Sequence, residues 1–185
     1  MHLLVGLGNI GDEYKLTRHN FGFLLLDQII DDFGFSYQSK KFKSAVFFGE
    51  IAGKKVIALK PQTFMNRSGI AVAEAINFYK IDLKNILVFH DDLDLALGKI
   101  KVKIGGGNAG HNGLKSLDQE IGKSYMRLRL GIGRPENKEF NTADYVLGKF
   151  KDDEIQKVSK INERISDLIE ELIAKDMNQF LNKFY

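Results

Sequence analysis

The chain's capacity for chemistry rests on few residues, because it contains four histidines and no cysteine. Thiolate nucleophiles, disulfides and cysteine-rich metal sites are thereby excluded together. No HExxH and no G-x-S-x-G occurs, so zinc hydrolysis and an elbow-mounted serine lose their usual signatures. Histidine paired with carboxylate remains. A neutral imidazole takes a proton from water near physiological pH, and a carboxylate on its other nitrogen fixes the tautomer and stabilises the imidazolium. His19 lies in the polar segment Thr17-Arg18-His19-Asn20, beside a glycine turn where a side chain can face a cleft. Asp91 is its best placed partner. His2 is terminal, His90 ends an apolar run where a structural imidazole is equally expected, and His111 stands where it could cap a helix.

Other polar residues admit two readings each. Asn9, Asn66 and Asn112 adjoin glycines or loops and fit Asx turns; together they also suit peptide groups, since a carboxamide both donates and accepts. His90-Asp91-Asp92-Leu93-Asp94 offers three carboxylates for Mg2+, yet on an extended strand Asp91 and Asp92 face opposite ways. Lys99, Lys101 and Lys103 alternate with Ile100, Val102 and Ile104, and Arg127 and Arg129 alternate with Leu128 and Leu130. Such stripes are either solvated sheet faces or a phosphate-binding surface. Gly6, Gly8 and Gly11 satisfy G-x-G-x-x-G, but a dinucleotide site also requires a helix opening at the third glycine and an acidic residue ending a second strand. Here Asp12-Glu13-Tyr14 follows, and Asp31 and Asp32 fall on the polar face of a helix.

The elements that must position these groups can be read from periodicity. Leu3 to Leu7 reads as a buried strand, Phe21 to Phe33 as a helix, and Ser44 to Ile51 with Lys55 to Leu59 as a hairpin turning at Ala52-Gly53-Lys54. Ser68 is expected to cap a helix through Ala71, Ala75 and Phe78. Ile86 to Phe89 reads as a strand buried on both faces, delivering His90-Asp91-Asp92 at its carboxyl end. Lys99 to Ile104 and Met126 to Ile132 alternate as strands, and Asp152 to Ile173 is one amphipathic helical pattern. Alternating strands and helices predict a single α/β domain spanning residues 1–185.

With 44% hydrophobic residues the chain can bury one sizeable core. The net charge of +3 is uneven: residues 1–150 hold 21 Lys and Arg against 16 Asp and Glu, and residues 151–185 hold 6 against 8. A polyanionic partner should meet the body and not the tail. Absent cysteine, no basic leader and no long apolar run predict a cytoplasmic protein that neither crosses a membrane nor is exported.

Five ordered blocks, GLGNIGDEYKLTRHNFG, KPQTFMNRSG, VFHDDLDLALG, KIGGGNAGHNGLKS and RLRLGIGRP, resemble the bacterial peptidyl-tRNA hydrolase family over residues 3 to about 150. The resemblance implies an α/β domain with a mixed central sheet flanked by helices. It also implies a monomeric esterase without metal or cofactor, acting on peptidyl-tRNA and releasing tRNA for reuse. By the same resemblance His19 is the base and Asp91 its orienting carboxylate. Asn9 and Asn66 place the ester and peptide, Asn112 serves the water and peptide backbone, and Tyr14, Met65 and His111 flank the cleft. Lys103 and Arg129 correspond to a clamp for the tRNA 5′ phosphate, and the loop from Gly105 to Gly113 with the helix after it to a mobile lid. Two departures stand out: Ile10 replaces a proline usual in the first block, and Asn108-Ala109 replaces a small or glycine-rich pair. A nucleotide-dependent oxidoreductase and a non-catalytic tRNA-binding module are the competing readings.

Overall fold

The computed structural model describes residues 1–185 in full. Seven strands run β1 (His2–Gly6), β2 (Ser36–Lys41), β3 (Ser44–Ile51), β4 (Lys54–Pro61), β5 (Ile86–Asp92), β6 (Ile100–Ile104) and β7 (Met126–Gly131). The helices are α1 (Phe21–Asp32), α2 (Ser68–Tyr79), α3 (Asn112–Ile121), α4 (Thr142–Val146), α5 (Asp152–Asp167), α6 (Ile169–Ile173) and α7 (Met177–Phe184). The strands form one mixed sheet in the order β2-β3-β4-β1-β5-β7-β6. β4, β1, β5 and β7 are parallel, and β2-β3-β4 and β6-β7 pair antiparallel.

The connectivity locates the functional end. From β1 the chain crosses to β4 on one side and afterwards returns to β5 on the other, so the winding reverses at β1. In open α/β sheets, crevices form outside the carboxyl ends of parallel strands at such a reversal. The segments leaving β1 and β4 and the carboxyl end of β5 carry Asn9, Met65-Asn66 and Asp91 to this one edge. Helices cover both faces. A core of 26 buried residues joins α1 and the carboxyl-terminal helices to one face, and a second of 15 joins α2 and α3 to the other.

Local expectations hold where apolar periodicity is strong. The Ser44–Ile51 hairpin, the helix from Phe21 and the buried strand from Ile86 all form, and β5 is buried along its whole length. Ser68 departs from expectation: it is the first residue of α2, and its hydroxyl donates to the Met65 carbonyl at 2.9 Å. A 3-10 turn over Met65–Arg67 leads into the helix, so the cap position falls to Arg67 and not to Ser68. The Asp152–Ile173 pattern is two helices that break at Leu168. The GLGNIG segment does not open a helix, since Gly11 has φ 116° and a single 3-10 turn follows. Asp31 and Asp32 end α1 and the next strand, β2, is an antiparallel edge, so the dinucleotide-binding reading loses its frame. No helix is long and apolar enough to cross a membrane.

Candidate active site

Helix α1 seats His19. At Gly22 a side chain would place its Cβ 2.3 Å from the Phe89 carbonyl oxygen and 2.7 Å from the Leu7 nitrogen. Glycine therefore lets the start of α1 rest directly on the main chain just after β1 and within β5. Three residues earlier stands His19, in a 3-10 turn over Arg18–Asn20. Both neighbours hold that turn. The Arg18 guanidinium lies 4.3 Å from the centre of the Tyr145 ring and bonds Glu154 at 3.1 Å. The Asn20 side chain accepts from the Asn9 N–H at 2.8 Å and donates to the Asn9 carbonyl at 2.9 Å, as a strand partner would.

Along β5 the side chains alternate. Asp91 meets two imidazoles: His19 Nδ1 lies 2.9 and 3.0 Å from its two oxygens, and His111 Nε2 lies 2.9 Å from Oδ1. The hydrogen positions follow from what surrounds them. His111 Nδ1 accepts from the Gly113 and Leu114 N–H groups at the start of α3, at 3.1 and 3.3 Å, so it cannot carry a proton. Its proton resides on Nε2 and is donated to Asp91. An ionised Asp91 only accepts, so His19 also donates through Nδ1 and presents a bare Nε2 lone pair.

The electrostatics agree with that assignment. For Asp91 burial works to raise the pKa, and the two imidazoles overcome it to hold the carboxyl well below the usual carboxylate range. For His19 burial works to lower the pKa, but the Asp91 charge and hydrogen bond prevail and raise it above 6.5. His90 points to the other face, donates through Nδ1 to the Asp91 carbonyl at 2.8 Å, and burial pushes its pKa down to about 3. It nevertheless borders the same cavity, with its ring centre 5.3 Å from that of His111 and its Nε2 without a partner.

A cavity of about 680 Å3 opens over the dyad. Asn9, Met65, Asn66, His111 and Asn112 line it, together with Lys103 and Arg129. Asn9 Oδ1 accepts from the Met65 N–H at 2.8 Å, which leaves its amide N–H2 as the group available to the cavity. Asn66 and Asn112 are exposed on the walls. Tyr14 is half-buried and does not line the cavity; its carbonyl anchors the Thr17 hydroxyl at 2.9 Å.

Arg129 Nε donates to Asp92 at 2.6 Å, and Lys103 has its pKa lowered by burial and by the neighbouring Arg129 and Arg127. An anion would relieve that crowding of positive charge. The two arginines of the β7 stripe differ, because Arg127 is entirely buried and does not form a solvated face. Asn20, Arg18 and the exposed Phe64 on the cavity wall were not singled out in the sequence, although all three fall within the TRHN and TFMN segments.

The carboxylates of the HDDLD segment do not converge on a cation. Asp91 serves two imidazoles, Asp92 serves Arg129, and Asp94 pairs with Arg134 at 2.6 Å. His19, Asp91 and His111 do bring three ligand-type atoms within 4.8 Å of one another. A metal on His111 Nε2 would move that ring's proton to Nδ1, against the two N–H groups that Nδ1 accepts from, so this donor set suits hydrogen bonding and not a cation.

Comparison with known proteins follows the same line. The family model described as peptidyl-tRNA hydrolase matches residues 3–185. A peptidyl-tRNA hydrolase of Wolbachia sp. subsp. Drosophila simulans (strain wRi) is 50% identical over 182 residues, covering 98% of each chain. One from Bartonella henselae is 49% identical over 99% of this chain and 94% of its own. The crystal structure of peptidyl-tRNA hydrolase from Acinetobacter baumannii superposes with a TM-score of 0.92 at 39% identity, covering 100% of this chain and 94% of that one. With the match running through the site and along essentially the whole chain, this protein belongs to the peptidyl-tRNA hydrolase family.

Proposed function

We propose that the chain hydrolyses the ester joining a peptide to the 3′-terminal ribose of tRNA, with His19 as general base and Asp91 as its orienting partner. The observation that carries this reading is the His19 Nδ1 to Asp91 pair at 2.9 and 3.0 Å, which leaves Nε2 unprotonated beside a cavity large enough for an acyl ester and water. Water gives its proton to His19 Nε2 as its oxygen bonds the ester carbon. The tetrahedral intermediate then collapses, the carbon–oxygen bond to ribose breaks, and the imidazolium returns its proton to the departing 3′ oxygen. The products are a free peptide and a tRNA with an intact 3′ hydroxyl.

The Asn9 amide is the committed donor toward the developing oxyanion, because its oxygen is already occupied by Met65. Asn66 and Asn112 read the peptide backbone, with Met65 and His111 flanking it. Lys103 and Arg129 take the 5′ phosphate of the tRNA. Tyr14 acts through the loop that carries His19. General-base assistance is worth roughly 10² to 10⁴ in rate, which suffices for an ester far more reactive than an amide. No step requires a metal or cofactor, and the protein acts as a cytoplasmic monomer.

The test is incubation with an N-blocked aminoacyl-tRNA in excess EDTA, following release of the blocked amino acid. The parent should cleave and His19→Ala should lose nearly all turnover while still binding tRNA. Full activity in His19→Ala would remove the base from this position, and loss of parental activity in EDTA would remove the metal-independent mechanism.

A further inference from the structure

Period-two alternation makes Arg127 and Arg129 equivalent, yet the fold gives them different exposure and different partners. Both border the cavity, but Arg129 is partly exposed there whereas Arg127 has no exposed surface. Its guanidinium forks: Nη1 donates to the Gly107 carbonyl at 2.9 Å and Nη2 to Asp118 Oδ1 at 2.8 Å. Its carbon lies 4.7 Å from the centre of the Tyr125 ring, and the Tyr125 hydroxyl donates to the same Asp118 oxygen at 2.9 Å.

Gly107 belongs to the loop between β6 and α3, which forms part of the cavity wall. The loop has little to hold it. Gly105, Gly106 and Gly110 have φ of 69°, 91° and 78°, Ala109 has φ 49°, and most of the loop is exposed. Asn108 bonds only within the loop, to the Gly110 and His111 nitrogens. The Arg127–Gly107 bond is thus the hydrogen bond that ties residues 106–110 to the sheet.

Stability does not explain such an arginine. Burying an ion pair recovers little of its desolvation cost, and an apolar pair would fill the space as well. Here Arg127 Nε and Asp118 Oδ2 even lack partners. What a guanidinium supplies, and an apolar side chain does not, is two donors at a fixed separation. One holds the loop at Gly107 and the other holds α3 at Asp118, and between those two fixed points lie His111 and Asn112.

We propose that Arg127 is a positioning residue: it latches the 105–110 loop and the body of α3 onto β7, and thereby holds His111 against Asp91 and Asn112 over the cleft. The assignment deepens the hydrolase reading and rests on it. Arg127 takes no part in phosphate binding, since both arms of its fork are occupied and it is out of reach of solvent.

The test uses Arg127→Met combined with Asp118→Asn, so that no buried charge is left alone and Tyr125 keeps its partner. Three quantities are read: kcat, the salt dependence of KM, and amide hydrogen exchange across the chain. A misplacement of this kind costs roughly 10- to 100-fold in kcat. KM and its salt dependence should stay near the parent's, and faster exchange should be confined to residues 106–113. A flattened salt dependence like that of Lys103→Ala would mean a phosphate contact and overturn the latch. Faster exchange across β7 and α1 as well, with kcat per folded molecule unchanged, would mean a merely structural role and overturn it equally.

If the double variant does not fold, Arg127→Lys carries the test, because one ammonium cannot span Gly107 and Asp118. It should lower kcat less and loosen the same loop; parental kcat and exchange would overturn the proposal. The exchange measurement stands apart from turnover, so a parent unable to cleave peptidyl-tRNA would refute the hydrolase reading while the loop amides still decide the latch.

Discussion

Replacing Asp91 by asparagine removes one charge while keeping the shape that His19 and His111 pack against, and its effect can be worked out from the contacts. In the proposed reaction His19 becomes an imidazolium with its Nδ1 bonded to Asp91, which lies at 2.9 and 3.0 Å. A carboxylate and an imidazolium with charge centres about 4 Å apart attract by about 4 kcal/mol at an effective permittivity near 20. The carboxamide dipole keeps part of this, leaving a loss of about 3 to 4 kcal/mol, which corresponds to roughly 10²- to 10³-fold in kcat. The asparagine must also point its oxygen at one imidazole and its N–H2 near another, which favours the His19 tautomer protonated on Nε2, where the lone pair is needed.

The same substitution moves the pH profile. In the parent the Asp91 charge holds the His19 pKa above 6.5, so the rate climbs with pH through a value higher than an ordinary imidazole's. Without that charge, burial is unopposed and the acid limb shifts below 6.5. Initial rates of release from N-blocked aminoacyl-tRNA at saturating substrate, between about pH 5 and 9, give both quantities. A kcat close to the parent's, or an acid limb that does not move down, would refute the account of the dyad.

Three further outcomes follow. His111→Ala removes both an Asp91 partner and the cap of α3; it should cost about 1 kcal/mol of stability by thermal unfolding and lower kcat more than KM. Lys103→Ala with Arg129→Ala should raise KM and flatten its dependence on salt, with kcat at saturation largely retained, because the proposed phosphate clamp serves binding and not bond cleavage. Asn9→Asp replaces the free amide donor with an acceptor facing a developing negative charge, and steady-state kinetics should show kcat down by roughly 10²- to 10³-fold with little change in thermal stability.

What the sequence made legible follows the strength of its local signals. β5 could be read because a strand buried on both faces needs an unbroken apolar run, and Ile86 to Phe89 is one. β2 escaped because Ser36 to Lys41 is a polar, exposed edge whose strand character comes only from pairing with β3. The break at Leu168 escaped because apolar spacing continues across it while the hydrogen bonds shorten to Ile165 and Ser166. In the site, His19 and Asp91 could be paired by chemical type. The sharing of Asp91 with His111 could not, since nothing local links positions 20 residues apart. Alternation placed Arg127 and Arg129 on one face correctly, but whether that face is wet or dry depends on where α3 and its preceding loop lie.

The seat of α1 carries a consequence for how this protein can change. A Cβ at Gly22 would collide with the oxygen of Phe89 and the nitrogen of Leu7, so the spacing between the segments that bear His19 and Asp91 is gauged by peptide units rather than by packed aliphatic groups. Peptide units do not swell when a leucine becomes a valine. The oily interior is therefore free to drift through conservative exchanges that soften the protein, and the distance from imidazole to carboxylate will survive them. A single methyl at position 22 would shift that gauge at once.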